Sequence, residues 1–173
     1  MKILAPNLYK IILTNKNMRT SSRNLYIIKG SERSLMIDTS WNVPECLSEM
    51  EQALNELSID CRNLDIFVTH NHVDHSGYVS FFTDRGARAF MNPVEIAASS
   101  DRYHRFYEDN DMRRSYTSEV GVTKERTPDA WQEIKAGADQ LARDNNVNFD
   151  FPFTPIAPGD RLSYGGYDFE VVS

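Results

Sequence analysis

The sequence predicts an α/β fold, because short strand-like runs alternate with segments whose apolar residues recur at helical spacing. The predicted strands are mostly rich in Ile, Val, Phe or Tyr, are bounded by turn residues, and span residues 8–13, 25–29, 34–38, 65–69, 87–91 and 168–172. The first three follow one another closely, whereas the later ones are separated by helical patterns. We therefore expect a mixed or antiparallel sheet.

The connections between these strands carry their own signals. Gly30 followed by "SERS" predicts a hairpin between the second and third strands, and Gly165-Gly166 predicts another before the last strand. In residues 44–57 the apolar side chains fall on one helical stripe, formed by Leu47, Met50, Leu54 and Leu57. This segment is therefore predicted to be a helix that begins near Pro44.

Two further helices are predicted to begin at Asn92 and at Thr127, each followed directly by a proline. Glu95, three residues after Asn92, fits a capping box. Residues 93–147 as a whole are long, charged and mostly helical in pattern, and they lie between two strand regions. We expect residues 93–147 to be a helical insertion or lid within the domain to which residues 1–173 belong. Its pocket-lining candidates are Tyr103, Phe106, Tyr107, Arg113, Arg114 and Tyr116, although a solvated helix surface is the commoner role for any one of them.

Composition excludes several classes of protein. A chain of 173 residues with 40% hydrophobic and 25% charged residues is typical of one globular domain. The formal net charge of -6 makes nucleic acid an unlikely partner. No apolar run is long enough to span a membrane, and residues 1–10 do not resemble a secretory signal. Cys46 and Cys61 do not form a disulfide framework, so we expect reduced thiols and a cytoplasmic location.

Residues 69–77, "THNHVDHSG", place three histidines and an aspartate within six positions, directly after a predicted strand. On extended backbone, residues two apart face the same way, so His70 and His72 can bind one cation as a pair. Asp74 and His75 follow at a turn as a second pair, and Gly77 would let the chain bend into the next helix. Imidazole with carboxylate suits Zn, Fe or Mn.

This stretch resembles the HxHxDH signature of the metallo-β-lactamase superfamily, and so does the approach to it: a hairpin that ends in "LMIDTS", a helix, and a strand that runs into the histidines. The resemblance covers most of residues 8–92 and the tail "APGDRLSYGGYDFEVVS". It departs at Ser40, where glycine is common in the superfamily. It implies that His70 and His72 bind a first metal, that Asp74 and His75 bind a second, and that Asp38 lies behind these ligands and orients one of them.

The resemblance also implies that these ligands are incomplete, because a catalytic zinc needs three protein ligands and an open position. The remaining histidine of the sequence, His104, is expected to be a surface residue. The superfamily supplies further ligands downstream of a strand like "DFEVV", so the chain resembles the amino-terminal half of an αββα sandwich. Such a half would leave an apolar sheet face uncovered, and we expect it to aggregate or to dimerise through that face.

For the complete protein, the resemblance implies a metal-dependent hydrolase acting on a small ester, thioester, lactone or phosphoester, with one or two Zn ions (Fe or Mn as alternatives) and Asp74 as the catalytic carboxylate. Glyoxalase-two-like thioesterases, lactonases and phosphodiesterases share this pattern. Mono-iron persulfide dioxygenases share it too, whereas diiron reductases of the superfamily usually carry glutamate where His72 stands. RNA-processing members generally add basic regions. A non-catalytic interaction module is the alternative from another class, and the metal content of the purified protein would discriminate it.

Overall fold

The structure is a computed structural model that describes residues 1–15, 21–95, 126–129 and 151–172. Within these ranges the chain forms one mixed sheet of seven strands, whose order in the sheet equals their order in the sequence. The strands are β1 (Lys2–Ala5), β2 (Leu8–Asn15), β3 (Ser21–Ile28), β4 (Ser34–Ile37), β5 (Leu64–Val68), β6 (Arg88–Met91) and β7 (Phe153–Pro155). The first four pair antiparallel, and β4 to β7 pair parallel.

The helices are α1 (Pro44–Glu56), α2 (Val73–Ser76) and α3 (Val79–Thr83), with a 3-10 turn at Cys61–Asn63. A separate antiparallel hairpin consists of β8 (Arg161–Tyr164) and β9 (Tyr167–Glu170). The predicted α/β class and mixed sheet are confirmed. The predicted helix over residues 44–57 is confirmed as α1, and both predicted hairpin connections are present. In the second of them Gly165 and Gly166 have φ angles of 58° and 91°, which explains the glycine pair.

One face of the sheet carries the core. Alternate residues of β2 to β6 point to this face and are buried, among them Leu13, Leu25, Ile27, Met36, Ile66, Val68 and Met91. The stripe predicted on α1 packs there, where Met50 and Leu54 are 0% and 3% exposed. Burying side chains of this size stabilises the fold by about 1.5–3 kcal/mol each. The sheet and α1 therefore form the packed core beneath the loops at the carboxyl ends of the parallel strands.

The opposite face is covered in part by the β8–β9 hairpin. Tyr164 donates a hydrogen bond of 2.6 Å to Asp65, which is fully buried in β5. The same carboxylate accepts hydrogen bonds from Arg33 and Arg88, so it lies between two guanidinium groups. Elsewhere on this face Ile12 is 59% exposed. The expected association through this face stays a prediction.

The helix predicted at Asn92 begins there. Residues 93–95 are helical, and the Asn92 side chain accepts a hydrogen bond from the backbone N–H of Val94. Residues 128–129 are helical where the third helix was predicted to start. The remainder of the insertion, including His104 and its pocket-lining candidates, lies outside the described residues. In the part of the chain that is described, no helix has the length and apolarity to cross a membrane.

Candidate metal centre

The histidine cluster lies where β5 ends. Residues 69–72 are irregular, and His72 has extended backbone angles (φ -66°, ψ 145°). His70 and His72 therefore lie close together as predicted, with ring centroids 4.6 Å apart. Asp74 and His75, which were predicted to lie at a turn, are helical, because α2 begins at Val73. The carbonyl of His72 accepts hydrogen bonds from the backbone of His75 and Ser76, which closes one helical turn.

That turn brings His75 back towards the loop. Its ring centroid lies 4.0 Å from that of His70. The loop after β4 holds it in place, since Thr39 donates through both its backbone N–H (2.6 Å) and its hydroxyl (2.9 Å) to the His75 carbonyl. Gly77 is needed here for close approach and not for bending. Its φ is an ordinary -60°, and a Cβ at this position would lie 2.4 Å from the carbonyl oxygen of Ser40.

Asp38 lies beside the cluster, in contact with His75. It follows β4 in the left-handed region (φ 61°), which Asp tolerates better than most residues. Its Oδ2 lies 2.7 Å from Nδ1 of His75, and its Oδ1 accepts a 2.7 Å hydrogen bond from the backbone N–H of Thr69. Because a carboxylate only accepts, the neutral form of His75 carries its proton on Nδ1 and its lone pair on Nε2.

Thr69 links Asp38 to His70 and so orients the proton on that ring as well. Its hydroxyl lies 2.9 Å from both oxygens of Asp38 and 3.0 Å from Nδ1 of His70. A hydroxyl has one proton, and the carboxylate takes it, so the hydroxyl oxygen can only accept from Nδ1–H of His70. Asp38 thus fixes the tautomer of His75 directly and that of His70 through Thr69. In both rings the Nε2 lone pair is left for a ligand bond.

Asp74 is the buried carboxylate of the cluster, with a side chain 11% exposed. Its Oδ2 lies 3.6 Å from Nε2 of His75 and forms an ion pair with Nη2 of Arg23 on β3. Arg23 was not predicted as a site residue. The signal was present, since Arg23 alternates with the buried Leu25 and Ile27, and a charge on the core side of a strand is unusual.

Glu95 is a second residue that was missed. Its Oε2 accepts a 2.9 Å hydrogen bond from the backbone N–H of Asn71, and its carbonyl accepts from the Asn71 side chain at 3.2 Å. The carboxylate assigned to a capping box therefore clamps the residue between His70 and His72. Nothing local in the sequence links positions 71 and 95, so this contact becomes evident only in the fold.

The cluster fits a transition-metal ion in its chemistry. Burial lowers the pKa of His70, and the neighbouring His75 and His72 rings lower it further, which favours the neutral imidazole that binds metals. Two donors on one tetrahedral zinc, with bonds of about 2.0–2.2 Å, lie roughly 3.4 Å apart. The 3.6 Å between Asp74 Oδ2 and His75 Nε2 is close to that spacing. Among the described residues, however, no group of three or more His, Cys, Asp or Glu side chains is arranged to hold an ion.

Comparison with solved structures gives the fold its class. The chain superposes on a metallo-β-lactamase family protein from Thermus thermophilus with a TM-score of 0.68 and 22% identity, covering 98% of this chain and 52% of that one. A β-lactamase domain protein from Burkholderia ambifaria superposes with a TM-score of 0.66 and 17% identity, covering 98% of this chain and 47% of that one. A subclass B3 metallo-β-lactamase from Bradyrhizobium japonicum superposes with a TM-score of 0.56 and 16% identity, covering 98% of this chain and 49% of that one.

These likenesses show the fold: the chain has the α/β architecture of the amino-terminal half of the metallo-β-lactamase superfamily. It spans about half the length of the structures it matches. No family model matches the sequence, and no curated protein matches it. The expected fold is thereby confirmed, while the roles predicted for His70, His72, Asp74, His75 and Asp38 stay predictions.

Proposed function

We propose that the protein is a metal-dependent hydrolase that cleaves an ester, thioester, lactone or phosphoester bond in a small substrate. The observation that carries this proposal is the pair of imidazoles, His70 and His75, whose Nδ1 atoms are engaged by Thr69 and Asp38 and whose Nε2 lone pairs stay free. The shared fold and the 3.6 Å spacing between Asp74 and His75 support it. Zinc suits this donor set, and iron or manganese are the alternatives.

In the proposed mechanism His70 and His72 hold one metal, and Asp74 and His75 hold a second. When bound, the metal would supply an activated water and an electrophile for the substrate oxygen. Asp74 orients the attacking water and accepts its proton on a carboxylate oxygen. Asp38 keeps the His75 ring from rotating, so that Nε2 faces Asp74 throughout. The other ligands that a catalytic site needs would come from elsewhere in the complete protein.

The test is metal content together with hydrolysis, measured on the whole natural protein. We expect bound zinc and turnover of at least one of the four ester classes. His70→Ala should lose the first metal, whereas His104→Ala, the same change at the histidine outside the sequence motif, should keep it. A protein with neither metal nor hydrolysis would support the interaction-module alternative. Oxygen consumption with a persulfide substrate, in place of hydrolysis, would support the iron dioxygenase.

A further inference from the structure

Arg23 reaches the cluster from the sheet and not from a loop. It lies on β3, paired in register with the fully buried Leu13 of β2. Its guanidinium carbon lies 5.5 Å from the ring centre of Trp41, and its Nη2 forms the ion pair with Asp74. The strand sets the position of the Arg23 backbone, and the side chain reaches the Asp74 carboxylate from there.

The oxygen that Arg23 contacts is the one that a metal would need. Oδ2 of Asp74 is the carboxylate atom 3.6 Å from Nε2 of His75, and that nitrogen carries the free lone pair. An ion bound between these two donors would lie within a few ångströms of the guanidinium. Two cations so close repel each other, and the repulsion is poorly screened where the carboxylate is only 11% exposed.

We propose that Arg23 competes with a metal ion for the carboxylate of Asp74 and thereby sets how tightly the Asp74–His75 pair binds metal. The proposal rests on the proposed function. Arg23 can move away from Asp74 when a metal binds, because its side chain is 46% exposed and can turn its guanidinium into solvent. Among the described hydrogen bonds and ion pairs, none joins Arg23 to His70 or His72. The two metal positions should therefore differ in affinity, with the second one weakened.

Zinc titration by calorimetry tests this on the whole natural protein after removal of metal with a chelator. Arg23→Gln should bind the zinc ion assigned to Asp74 and His75 about 10-fold more tightly than wild type, the scale expected for one charged hydrogen bond. Arg161→Gln is the matched control, since Arg161 also pairs with a carboxylate, that of Glu170, but is 80% exposed on the β8–β9 hairpin. It should bind zinc as wild type does.

Two further variants keep the outcome clear. Arg23→Lys keeps the charge but loses the second nitrogen of the fork, so its zinc affinity should lie between those of wild type and Arg23→Gln. If far-ultraviolet circular dichroism shows that Arg23→Gln does not fold, the comparison of Arg23→Lys with wild type tests the proposal by itself. In an Asp74→Asn background the Arg23→Gln change should have no effect on zinc affinity, because the contested carboxylate is gone.

The outcomes separate the two proposals. Unchanged zinc affinity in Arg23→Gln would overturn the competition and leave the hydrolase proposal standing. Weaker affinity would also overturn it, since Arg23 would then be helping Asp74 to bind the ion, as a carboxylate with spare lone pairs permits. If neither wild type nor Arg23→Gln binds zinc, iron or manganese, both proposals fail.

Discussion

Nδ1 of His75 lies 2.7 Å from Oδ2 of Asp38, across the gap between the ends of two parallel strands. The contact links residues 37 positions apart, and it depends on the register of β4 and β5. The backbone N–H of Asp38 donates to the carbonyl of Phe67, and its carboxylate accepts from the backbone of Thr69. The orientation of a candidate metal ligand is therefore set by sheet pairing.

Replacing Asp38 with Asn tests this arrangement. An amide has one acceptor oxygen where the carboxylate has two, and its NH₂ group cannot accept from either Thr69 or His75. We expect zinc affinity to fall by about 10–100-fold, the range typical when a group that orients a ligand is removed. Competition with a chromophoric chelator measures it. Asp168→Asn, which alters an exposed carboxylate that accepts from Ser163, is the control and should not change the affinity.

Substitutions at Thr69 test the relay to His70, meaning the hydrogen bonds that link Asp38 through the Thr69 hydroxyl to Nδ1 of His70. Thr69→Val keeps the shape of the side chain but removes the hydroxyl, whereas Thr69→Ser keeps the hydroxyl. The Val variant should lower zinc affinity by about 3–10-fold, the scale of one hydrogen bond, and the Ser variant should restore it. Long-range ¹H–¹⁵N NMR should find His70 protonated on Nδ1 in wild type and in Thr69→Ser, and shifted towards the Nε2–H tautomer in Thr69→Val. An unchanged tautomer in all three would contradict the relay.

Much of the fold and of the candidate site could be predicted from the sequence, because many of their features depend on local sequence patterns. The spacing of the histidines, the apolar stripe of α1 and the Gly165-Gly166 turn are each readable within a few residues. The partners Arg23 and Glu95 could not be assigned, because their contacts with Asp74 and Asn71 join distant segments. The strands β1 and β7 were missed for another reason. Both are short and lie at the edges of the described sheet, where alternation is weak.

Glu95 should stiffen the histidine loop. Glu95→Ala removes the carboxylate that accepts a hydrogen bond from the backbone N–H of Asn71. We expect amide hydrogen exchange across residues 70–72 to become about tenfold faster, equivalent to losing roughly 1.4 kcal/mol of protection. Exchange in α1, which has no contact with Glu95 among the described hydrogen bonds, is the internal control. Equal exchange rates in the two proteins would mean that the clamp does not restrain the loop.

The hydrogen bonds that Asp65 accepts from Arg33, Arg88 and Tyr164 should contribute to folding stability and not to catalysis. Burial raises the pKa of the Asp65 carboxyl, but hydrogen bonds from Arg88, Arg33 and Tyr164 outweigh it, and the net pKa is lowered. Asp65→Ala should cost about 2–4 kcal/mol of unfolding free energy, below the full value for a buried pair because Arg88 is 54% exposed and can rehydrate. Urea unfolding measures this, with the exposed Asp84→Ala as control.

The pH dependence of that contribution has a definite sign. A carboxyl whose pKa is lowered in the folded state stabilises it above the unfolded pKa of about 3.9, and the contribution is lost as pH falls through the folded pKa. The stability difference between wild type and Asp65→Asn should therefore be constant near neutral pH and shrink below about pH 4. A difference that grows on acidification would show that the pKa of Asp65 is raised.

Asp74→Asn is the decisive substitution for the chemistry. It keeps the shape of the side chain but removes the charge that Arg23 contacts and the base that would accept the proton of the attacking water. General-base catalysis contributes about 10²–10⁴-fold, so kcat for ester or thioester hydrolysis should fall at least ~100-fold. The first metal should stay bound, because His70 and His72 are untouched, and metal analysis would show one ion retained. Asp168→Asn should keep full activity. Hydrolysis by Asp74→Asn at a near-normal rate would remove Asp74 from the catalytic role, and loss of all metal would mean that the cluster binds its ions as one unit.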